Sequence, residues 1–315
     1  MLNVLAINYS QTGQLDAIID NFTSPLASHC RVDRVKLEPL QPYPFPWTGQ
    51  EFFDVMPDCV LENPIPLQPL NLPQKDYDLI VIGYQPWFLS PSLPITSLFY
   101  SEEFKSIVKG KPVVTIIGAR NMWINSQKSV IGYIEKANGT LVGNIPLGDR
   151  TSNLISALTI LHWMLNGRKD KFLGILPEPG ISDEDIQGAS KYGEILLECI
   201  QKNQINDFQN KALATKNIKL PISIIFIEER AKMLFRIWAN IIAKRGTTPR
   251  KRKLYVNLFK YYLIVALFMV APIVLFFYFT LLYPLSMKAA NKKRQFYLKG
   301  IIKVYNARSL HYQSC

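Results

Sequence analysis

The stretch LNVLAINYSQTGQL, residues 2–15, indicates how the chain folds. Its first seven residues, Leu2–Asn8, form a short apolar run of the kind found in buried parallel strands. A turn with two hydroxyl side chains and a glycine follows, and a helical pattern then runs over residues 14–26. A strand that leads through such a turn into a helix is the first half of a βαβ unit.

Four further segments have the apolar runs expected of strands, and helical patterns lie between or after them. The predicted strands are residues 32–37, 78–83, 112–118 and 140–147, and the predicted helices are residues 101–109, 125–138, 153–165 and 183–201. Ser182 is expected to cap the last of these helices, with Asp185 in its first turn. Alternating strands and helices predict an α/β fold over residues 1–205, with an open parallel five-stranded sheet and helices on both faces.

Residues 38–75 do not fit this pattern. They hold nine of the 21 prolines together with several aromatic side chains. A long loop of this kind within a domain is usually functional or disordered, and the aromatic content argues against disorder. We expect an ordered insertion that lies over something apolar, although a rigid surface crossover would explain the composition equally well.

The formal net charge of +12 is unevenly distributed. Residues 230–315 contain 17 lysines and arginines and no acidic side chain, whereas residues 1–229 have a net charge of −5. Such an asymmetry predicts a nucleic-acid or membrane partner for the C-terminal tail alone.

Residues 261–283, YYLIVALFMVAPIVLFFYFTLLY, contain no charged side chain. A helix of this length spans about 35 Å, enough to cross a bilayer, and tyrosines mark both ends as interfacial anchors would. Because the basic residues flank this segment, we expect contact with anionic membrane lipids and no nucleic-acid binding. The tail then divides into a linker with an amphipathic basic helix (206–253), a membrane segment (254–287) and a basic C-terminal tail (288–315).

The orientation of the membrane segment stays open at this point. Seven basic residues lie on each side of it, so the positive-inside rule gives no preference. A single span is the simpler interpretation, but a hairpin that turns near Pro272 would keep both flanks on the cytosolic face. Upstream, residues 222–244 carry apolar side chains at helical spacing, with Glu228 and Glu229 on the opposite side, which predicts either an interfacial helix or one packed on the body.

The cysteines and the N-terminus indicate a reducing compartment. Cys30, Cys59, Cys199 and Cys315 are widely scattered and form neither a CxxC pair nor a disulfide framework, and no metal-ligand cluster is evident. The N-terminal residues lack the basic region and cleavage site of a signal peptide. We therefore expect the body on the cytoplasmic face of a membrane, anchored by residues 261–283.

The turn after the first strand suits a phosphate group, because a helix N-terminus offers free N–H groups and a positive dipole end. It contains neither GxGxxG nor GK[ST], which argues against a dinucleotide turn and a P-loop. The turn resembles the phosphate loop of flavodoxins, with Leu15 where a final threonine would stand. The resemblance assigns cofactor-binding roles to Ser10, Gln11, Thr12, Gly13 and Gln14.

Two later turns match the loops that hold the isoalloxazine ring in flavodoxin-like proteins. Aromatic and backbone-rich loops suit a planar, amphipathic ring, although Trp87 and Trp123 would also fit as core residues at strand ends. The resemblance implies a flavodoxin-like fold and FMN as the cofactor. The residues concerned are Pro86, Trp87, Phe88 and Leu89 after the third strand, and Gly118, Ala119, Arg120, Asn121, Met122 and Trp123 after the fourth.

A narrower resemblance rests on five segments: YSQTGQL, PYPFPW, FFDVMP, YQPWFLSPSLP and ARNMW. Together they are similar to the dialkylresorcinol condensing enzyme family over about residues 1–200, and more loosely over the tail. The resemblance implies a partner ketosynthase that joins two β-keto acyl units into a hydrophobic cyclic diketone. The flavodoxin-like member would then aromatise that dialkyl-cyclohexane-1,3-dione to a resorcinol.

Aromatising this ring removes two electrons and two protons, so the protein needs a flat apolar slot and a group that manages a proton or an enolate charge. We predict catalytic roles for Tyr84, Arg120 and His162, with Asp149 as a further candidate. A core position is also expected for His162, in an apolar helix. Two other functions remain open: an NAD(P)H:quinone reductase and a non-catalytic electron-transfer or scaffold protein at the membrane. The sequence is also compatible with a homodimer.

Overall fold

The computed structural model describes residues 1–74, 76–303 and 305 of the chain. The strands in these ranges are β1 (Leu2–Asn8), β2 (Cys30–Lys36), β3 (Leu79–Tyr84), β4 (Pro86–Trp87), β5 (Ser90–Pro91), β6 (Pro112–Ala119) and β7 (Thr140–Gly148). The α-helices are α1 (Gln14–Ala27), α2 (Gly49–Asp54), α3 (Met56–Leu61), α4 (Leu93–Leu98), α5 (Glu102–Val108), α6 (Ile124–Lys136), α7 (Asn153–Asn166), α8 (Asp183–Gln187), α9 (Ala189–Gln201), α10 (Phe208–Ala214), α11 (Ile222–Arg245) and α12 (Pro249–Lys299).

Five strands form one parallel sheet in the order β2-β1-β3-β6-β7. If these five strands are numbered in chain order, their order in the sheet is 2-1-3-4-5, which is the order of flavodoxin-like folds. Such folds place a ligand site where the strand order reverses, between the first and third strands. The predicted α/β class and flavodoxin-like topology are therefore confirmed. The small hairpin β4–β5 is separate from this sheet.

The sheet is sandwiched between helices, so its strands are apolar on both faces. All six residues of β3 are buried, as are six of the seven in β1. Burial on both faces explains why these strands appear in the sequence as continuous apolar runs without alternation.

The helices follow the predicted pattern with one interruption. Ser182 Oγ accepts a hydrogen bond from the Asp185 N–H at 3.2 Å, which confirms the predicted cap. The single helix predicted over residues 183–201 is divided at Gly188 into α8 and α9. Glycine is a poor helix former and is a natural point for such a break.

The described part of the insertion, residues 38–74, is ordered and contains α2 and α3. Thr48 and Glu51 form a reciprocal capping box at the start of α2. The insertion and the C-terminal helices share a second hydrophobic core, distinct from that of the sheet. Its buried members are Phe53, Met56, Val60, Leu89, Met122, Ile224, Phe235, Ala239, Ile242, Val256 and Phe259.

The amphipathic helix predicted over residues 222–244 is α11, and it packs on the body against α3 and α6. The expectation that Glu228 lies on its polar face is wrong, because the side chain is fully buried and its carboxylate occupies the N-terminus of α6. The following helix, α12, contains the apolar segment. By length and composition α12 could cross a membrane.

Candidate functional site

A cavity of about 620 Å³ lies at the carboxyl edge of the sheet. The loops that follow β1, β3 and β6 form three of its walls, as expected for a ligand site at the reversal of strand order. A cavity of this size is in the range that small-molecule ligands and cofactors occupy.

The loop after β1 presents the N-terminus of α1 to this cavity. Gly13 has a φ of 79°, a left-handed conformation that glycine adopts without strain, and it directly precedes the helix. Ser10 Oγ accepts a hydrogen bond from the Leu15 N–H at 3.2 Å. Thr12 Oγ1 is buried and has no hydrogen-bond partner among the described residues. A buried hydroxyl without a partner, next to a helix N-terminus, fits a bound anion such as a phosphate.

Two glutamines fix the shape of this loop. The Gln11 N–H donates to Gln85 Oε1 at 3.1 Å, and Gln11 Nε2 donates to the Pro44 carbonyl at 2.9 Å. The Gln14 amide forms two hydrogen bonds with the backbone of Ile181, at 2.9 and 3.0 Å. The loop is therefore tied to the insertion and to the segment before α8 without any ligand.

The loop after β3 is a tight hairpin whose turn residues, Phe88 and Leu89, have φ values of 47° and 62°. Bulky residues in the left-handed region cost about 1–2 kcal/mol each. Strain of this kind is found at sites where the exact position of a side chain matters. Lys232 on α11 holds the turn, since its ammonium donates to Ser90 Oγ at 2.7 Å and to the Leu89 carbonyl at 3.3 Å.

An aromatic cluster joins the insertion to this hairpin. The Tyr43 and Trp47 rings stack with centroids 5.3 Å apart, and each meets Trp87 edge to face at 5.1 and 5.7 Å. The Phe52 and Phe88 rings are tilted relative to each other, with centroids 5.2 Å apart. Trp47, Phe52, Trp87 and Phe88 all line the cavity, so the insertion forms an aromatic lid over it.

Arg120, at the end of β6, supplies a positive charge to the third wall. Its Nη1 donates to the Asn153 carbonyl at 2.9 Å. Burial lowers the pKa of the guanidinium to about 10, against the opposing influence of Asp149 and Glu228. Arg120 therefore stays protonated at neutral pH and can bind an anionic oxygen.

Helix α7 also lines the cavity, and a further wall, outside the predicted flavodoxin-like domain, comes from α11 and α12. It is apolar apart from Arg230, whose guanidinium lies 3.5 Å from the Phe226 ring centroid and donates to the Phe226 carbonyl at 2.8 Å. The residues of α12 in this wall belong to its membrane-type segment and include Tyr262, Leu263, Ala266, Val270 and Val274.

Two of the three predicted catalytic side chains lie outside the cavity. Tyr84 is fully buried, and its hydroxyl donates to Gln127 Oε1 at 2.6 Å. Burial raises the pKa of this hydroxyl well above its usual value. His162 lies on α7 with its side chain largely buried, 13% exposed, and its Nε2 lies 2.8 Å from Asp170 Oδ1. Arg120 is the predicted catalytic residue that lines the cavity.

Asp149, the further candidate, is buried, and nearby residues already hydrogen-bond to its carboxylate. Its carboxylate accepts hydrogen bonds from Thr151 and from Ser156 Oγ, the latter at 2.7 Å. It lines a second, more polar cavity next to the first.

The structure brings most of the predicted cofactor residues to one cavity: Gln11, Thr12, Gln14, Pro86, Trp87, Phe88, Leu89, Gly118, Ala119, Arg120 and Met122. Ser10 and Gly13 shape the first loop without lining the cavity. Asn121 and Trp123 line the second cavity, and Trp123 belongs to the main hydrophobic core.

Arg230 and Glu228 were not identified as site residues from the sequence. Arg230 lies on α11, upstream of the membrane-type segment, and no sequence signal showed that this helix packs against the cavity. Among the described cavity-lining residues there is no Asp, Glu, His or Lys. Within the described part of the chain, no group of three or more His, Cys, Asp or Glu could hold a metal ion.

The fold is similar to those of solved flavoproteins. A flavoprotein in complex with FMN from Lactobacillus acidophilus NCFM shares 17% identity over 46% of this chain and 93% of its own, with a TM-score of 0.37. A flavodoxin from the domain Archaea shares 13% over 61% and 94%, with a TM-score of 0.31. A flavone reductase shares 12% over 63% and 62%, with a TM-score of 0.35. No protein-family model and no curated protein matches the chain.

Proposed function

We propose that the protein is an FMN-dependent oxidoreductase that acts on a hydrophobic cyclic diketone at the cytoplasmic face of a membrane. One observation carries this proposal: the loops after β1, β3 and β6 converge on a single cavity that is also lined by an aromatic lid and by the largely apolar faces of α7, α11 and α12. The three loops suit a cofactor, and the aromatic lid and the apolar helix faces suit a hydrophobic ring.

The chain's own residues fit the phosphate end of FMN. Thr12 Oγ1 and the N-terminus of α1 would hold the phosphate, since the hydroxyl has no partner among the described residues and the helix end favours negative charge. The hairpin at residues 86–89 and the turn at residues 118–122 would hold the ring.

The proposed substrate is a dialkyl-cyclohexane-1,3-dione, which the protein would convert to a resorcinol. The resemblance to dialkylresorcinol condensing enzymes suggests this substrate, and a partner ketosynthase would supply it. The cavity supports the proposal through its apolar lining, in which Arg120 and Arg230 are the charged groups among the described residues.

The chemistry needs no carboxylate or histidine in the cavity. A 1,3-diketone loses a proton to water to give an enolate, and Arg120 and Arg230 would stabilise the negative oxygen. Bound FMN would supply the acceptor for a hydride from the ring. Loss of a proton and then a hydride removes two electrons and two hydrogens, and the resulting dienone becomes the resorcinol by tautomerisation. The aromatic lid would shield the ring from bulk water once the proton has left.

Turnover of a synthetic dialkylcyclohexanedione tests the proposal. Full-length protein loaded with FMN in detergent is expected to convert it to the resorcinol, detected by mass spectrometry, in the presence of an electron acceptor. If the loaded protein leaves the diketone unchanged but oxidises NAD(P)H with a lipid quinone, the quinone reductase is the correct assignment. If neither reaction occurs, the protein is an electron carrier or scaffold.

A further inference from the structure

The apolar segment of α12, residues 261–283, is only partly covered by the rest of the protein. No side chain in it is buried, and large apolar ones such as Met269, Phe276 and Leu281 are 60–64% exposed. Soluble monomers rarely expose a contiguous apolar surface of this extent. We call these residues the apolar arc, because contacts at the two ends of α12 require the helix to bend.

The helix before the apolar arc is docked on the body. Arg252 Nε donates to Asp54 Oδ1 at 2.7 Å, and Arg252 Nη2 donates to Asp58 Oδ2 at 3.2 Å. Phe259 is fully buried in the second core, where its ring meets that of Phe235 at 5.4 Å.

The helix after the apolar arc is docked on the same body. Lys293 Nζ and the Tyr297 hydroxyl both donate to the Glu229 carboxylate, each at 2.6 Å. Tyr297 and Leu298 belong to the main hydrophobic core, and Gln209 Nε2 donates to the Leu298 carbonyl at 2.9 Å.

These two sets of contacts require α12 to bend. In a straight helix, Phe259 and Tyr297 would lie about 57 Å apart. Their partners on α11, Phe235 and Glu229, are only about 9 Å apart along the axis. Even with extended side chains, these contacts require the Cα atoms of Phe259 and Tyr297 to lie roughly 40 Å apart or less.

The sequence of α12 contains recognised causes of such a bend. Pro272 and Pro284 each remove a backbone donor, and the segments Ala266–Val270 and Tyr278–Leu282 are π-helical. Prolines and π-helical turns are the usual sites of helix kinks. The Tyr278 ring stacks on Phe226 of α11 with centroids 3.7 Å apart, so the bowed helix also touches the body near its middle.

A helix whose two ends are bound to one water-soluble body cannot place those ends on opposite sides of a bilayer. The basic flanks therefore lie on the same side as the body. Lys251 and Lys253 before the arc, and Lys288 and Lys292 after it, would face the same head groups. Residues 230–315 contain no acidic side chain to oppose this attraction.

We propose that the apolar arc is seated in one leaflet of a bilayer that contains anionic lipids, without crossing it. Both basic flanks then bind head groups of that leaflet. This seating does not depend on what the neighbouring cavity binds, because it rests on the contacts at the two ends of α12. A second copy of the chain is the competing occupant, and it would leave the protein soluble.

Cysteine labelling of the full chain distinguishes these arrangements. Cys30, Cys59 and Cys199 are buried, so Cys315→Ser gives a background with little reactivity. Each variant adds one exposed reporter cysteine to this Cys315→Ser background. The three substitutions are Ser106→Cys on the body, Thr247→Cys before α12 and Asn291→Cys after the arc. The purified variants are added to preformed vesicles of phosphatidylcholine and phosphatidylglycerol, and a membrane-impermeant maleimide is applied with and without detergent.

We expect all three variants to float with the vesicles and to be labelled fully without detergent. Labelling of Asn291→Cys only after detergent, with the other two labelled before it, would show a span and overturn the proposal. Protein that stays soluble as a dimer and does not float would overturn it too, because the second copy would then cover the arc.

Discussion

The carboxylate of Glu228 accepts a hydrogen bond from the backbone N–H of Asn125 at 2.7 Å, and the Asn125 side chain donates in return to the Glu228 carbonyl at 2.8 Å. This pair connects α11 in the tail to the N-terminus of α6, where Trp123 provides no side-chain cap. The turn that ends at Trp123 is a wall of the cavity. Glu228 therefore ties α11 to the turn that forms part of the candidate site.

The first prediction concerns the pH dependence of stability. Burial raises the pKa of Glu228 from 4.5 to about 7, although N–H groups at Asn125, Ile124 and Trp123 oppose the shift. Because the folded state binds this proton more tightly than the unfolded state, the group lowers stability as pH rises from about 4.5 to about 7. Over that window, this titration lowers the free energy of unfolding by about 3 kcal/mol.

Glu228→Gln removes this titration. Denaturant unfolding in detergent at a series of pH values is expected to show a smaller loss of stability between pH ~5 and ~7 than in the wild type. Glu194→Gln, at an exposed position of α9, is the matched control and should follow the wild type. Parallel curves for Glu228→Gln and wild type would show that this carboxylate does not titrate in the window.

The second prediction concerns Thr12. Thr12→Val keeps the shape of the side chain and removes the hydroxyl, which has no hydrogen-bond partner in the described part of the chain. We expect the Kd for FMN to rise about tenfold, because a hydrogen bond to a charged group is worth about 1.5 kcal/mol or more. Fluorescence titration measures this affinity. Thr96→Val, in α4 and away from the cavity, should leave the Kd unchanged; equal effects of the two substitutions would exclude a phosphate contact.

The third prediction concerns Arg120. Arg120→Gln removes the positive charge from the cavity wall, and kcat for the diketone is expected to fall about 100-fold, as for the loss of one donor to a developing oxyanion. The FMN content of the variant should stay close to that of the wild type. Arg31→Gln on β2, whose side chain is 54% exposed, is the control. An unchanged kcat would remove Arg120 from the chemical step.

The fourth prediction concerns the first loop. Gln14→Leu breaks both hydrogen bonds to Ile181 and leaves two backbone groups without partners. We expect the free energy of unfolding to fall by about 1–3 kcal/mol. Gln201→Leu, at the exposed end of α9, should change it little. If the two variants unfold at the same denaturant concentration, the bridge between the loop and Ile181 does not contribute to stability.

Much of the fold could be predicted from the sequence because buried parallel strands are continuous apolar runs. The prediction for β1 has the observed bounds, and those for β3, β6 and β7 differ from them by one residue at one or both ends. The tail could not be placed in this way. Hydrophobic periodicity shows that α11 has an apolar face but not that it packs against α3 and α6, since that depends on contacts distant in sequence.

The candidate site was predictable where it lies in the turns after strands, which the topology brings to one edge of the sheet. Tyr84 ends β3, and the alternation of side chains along the strand turns it into the core toward Gln127, away from the cavity. Glu228 resembles any surface carboxylate on an amphipathic helix. Only its tertiary contact with the N-terminus of α6 shows that it is buried.

The visible absorption spectrum of the full-length protein, purified in mild detergent and incubated with FMN, tests the flavin site most directly. We predict oxidised-flavin bands that remain after removal of free cofactor, and one FMN released per chain on denaturation. The Thr12→Val variant should lose the cofactor more readily. A correctly folded protein, by circular dichroism, that retains no flavin after this treatment would contradict the assignment of the cavity to FMN.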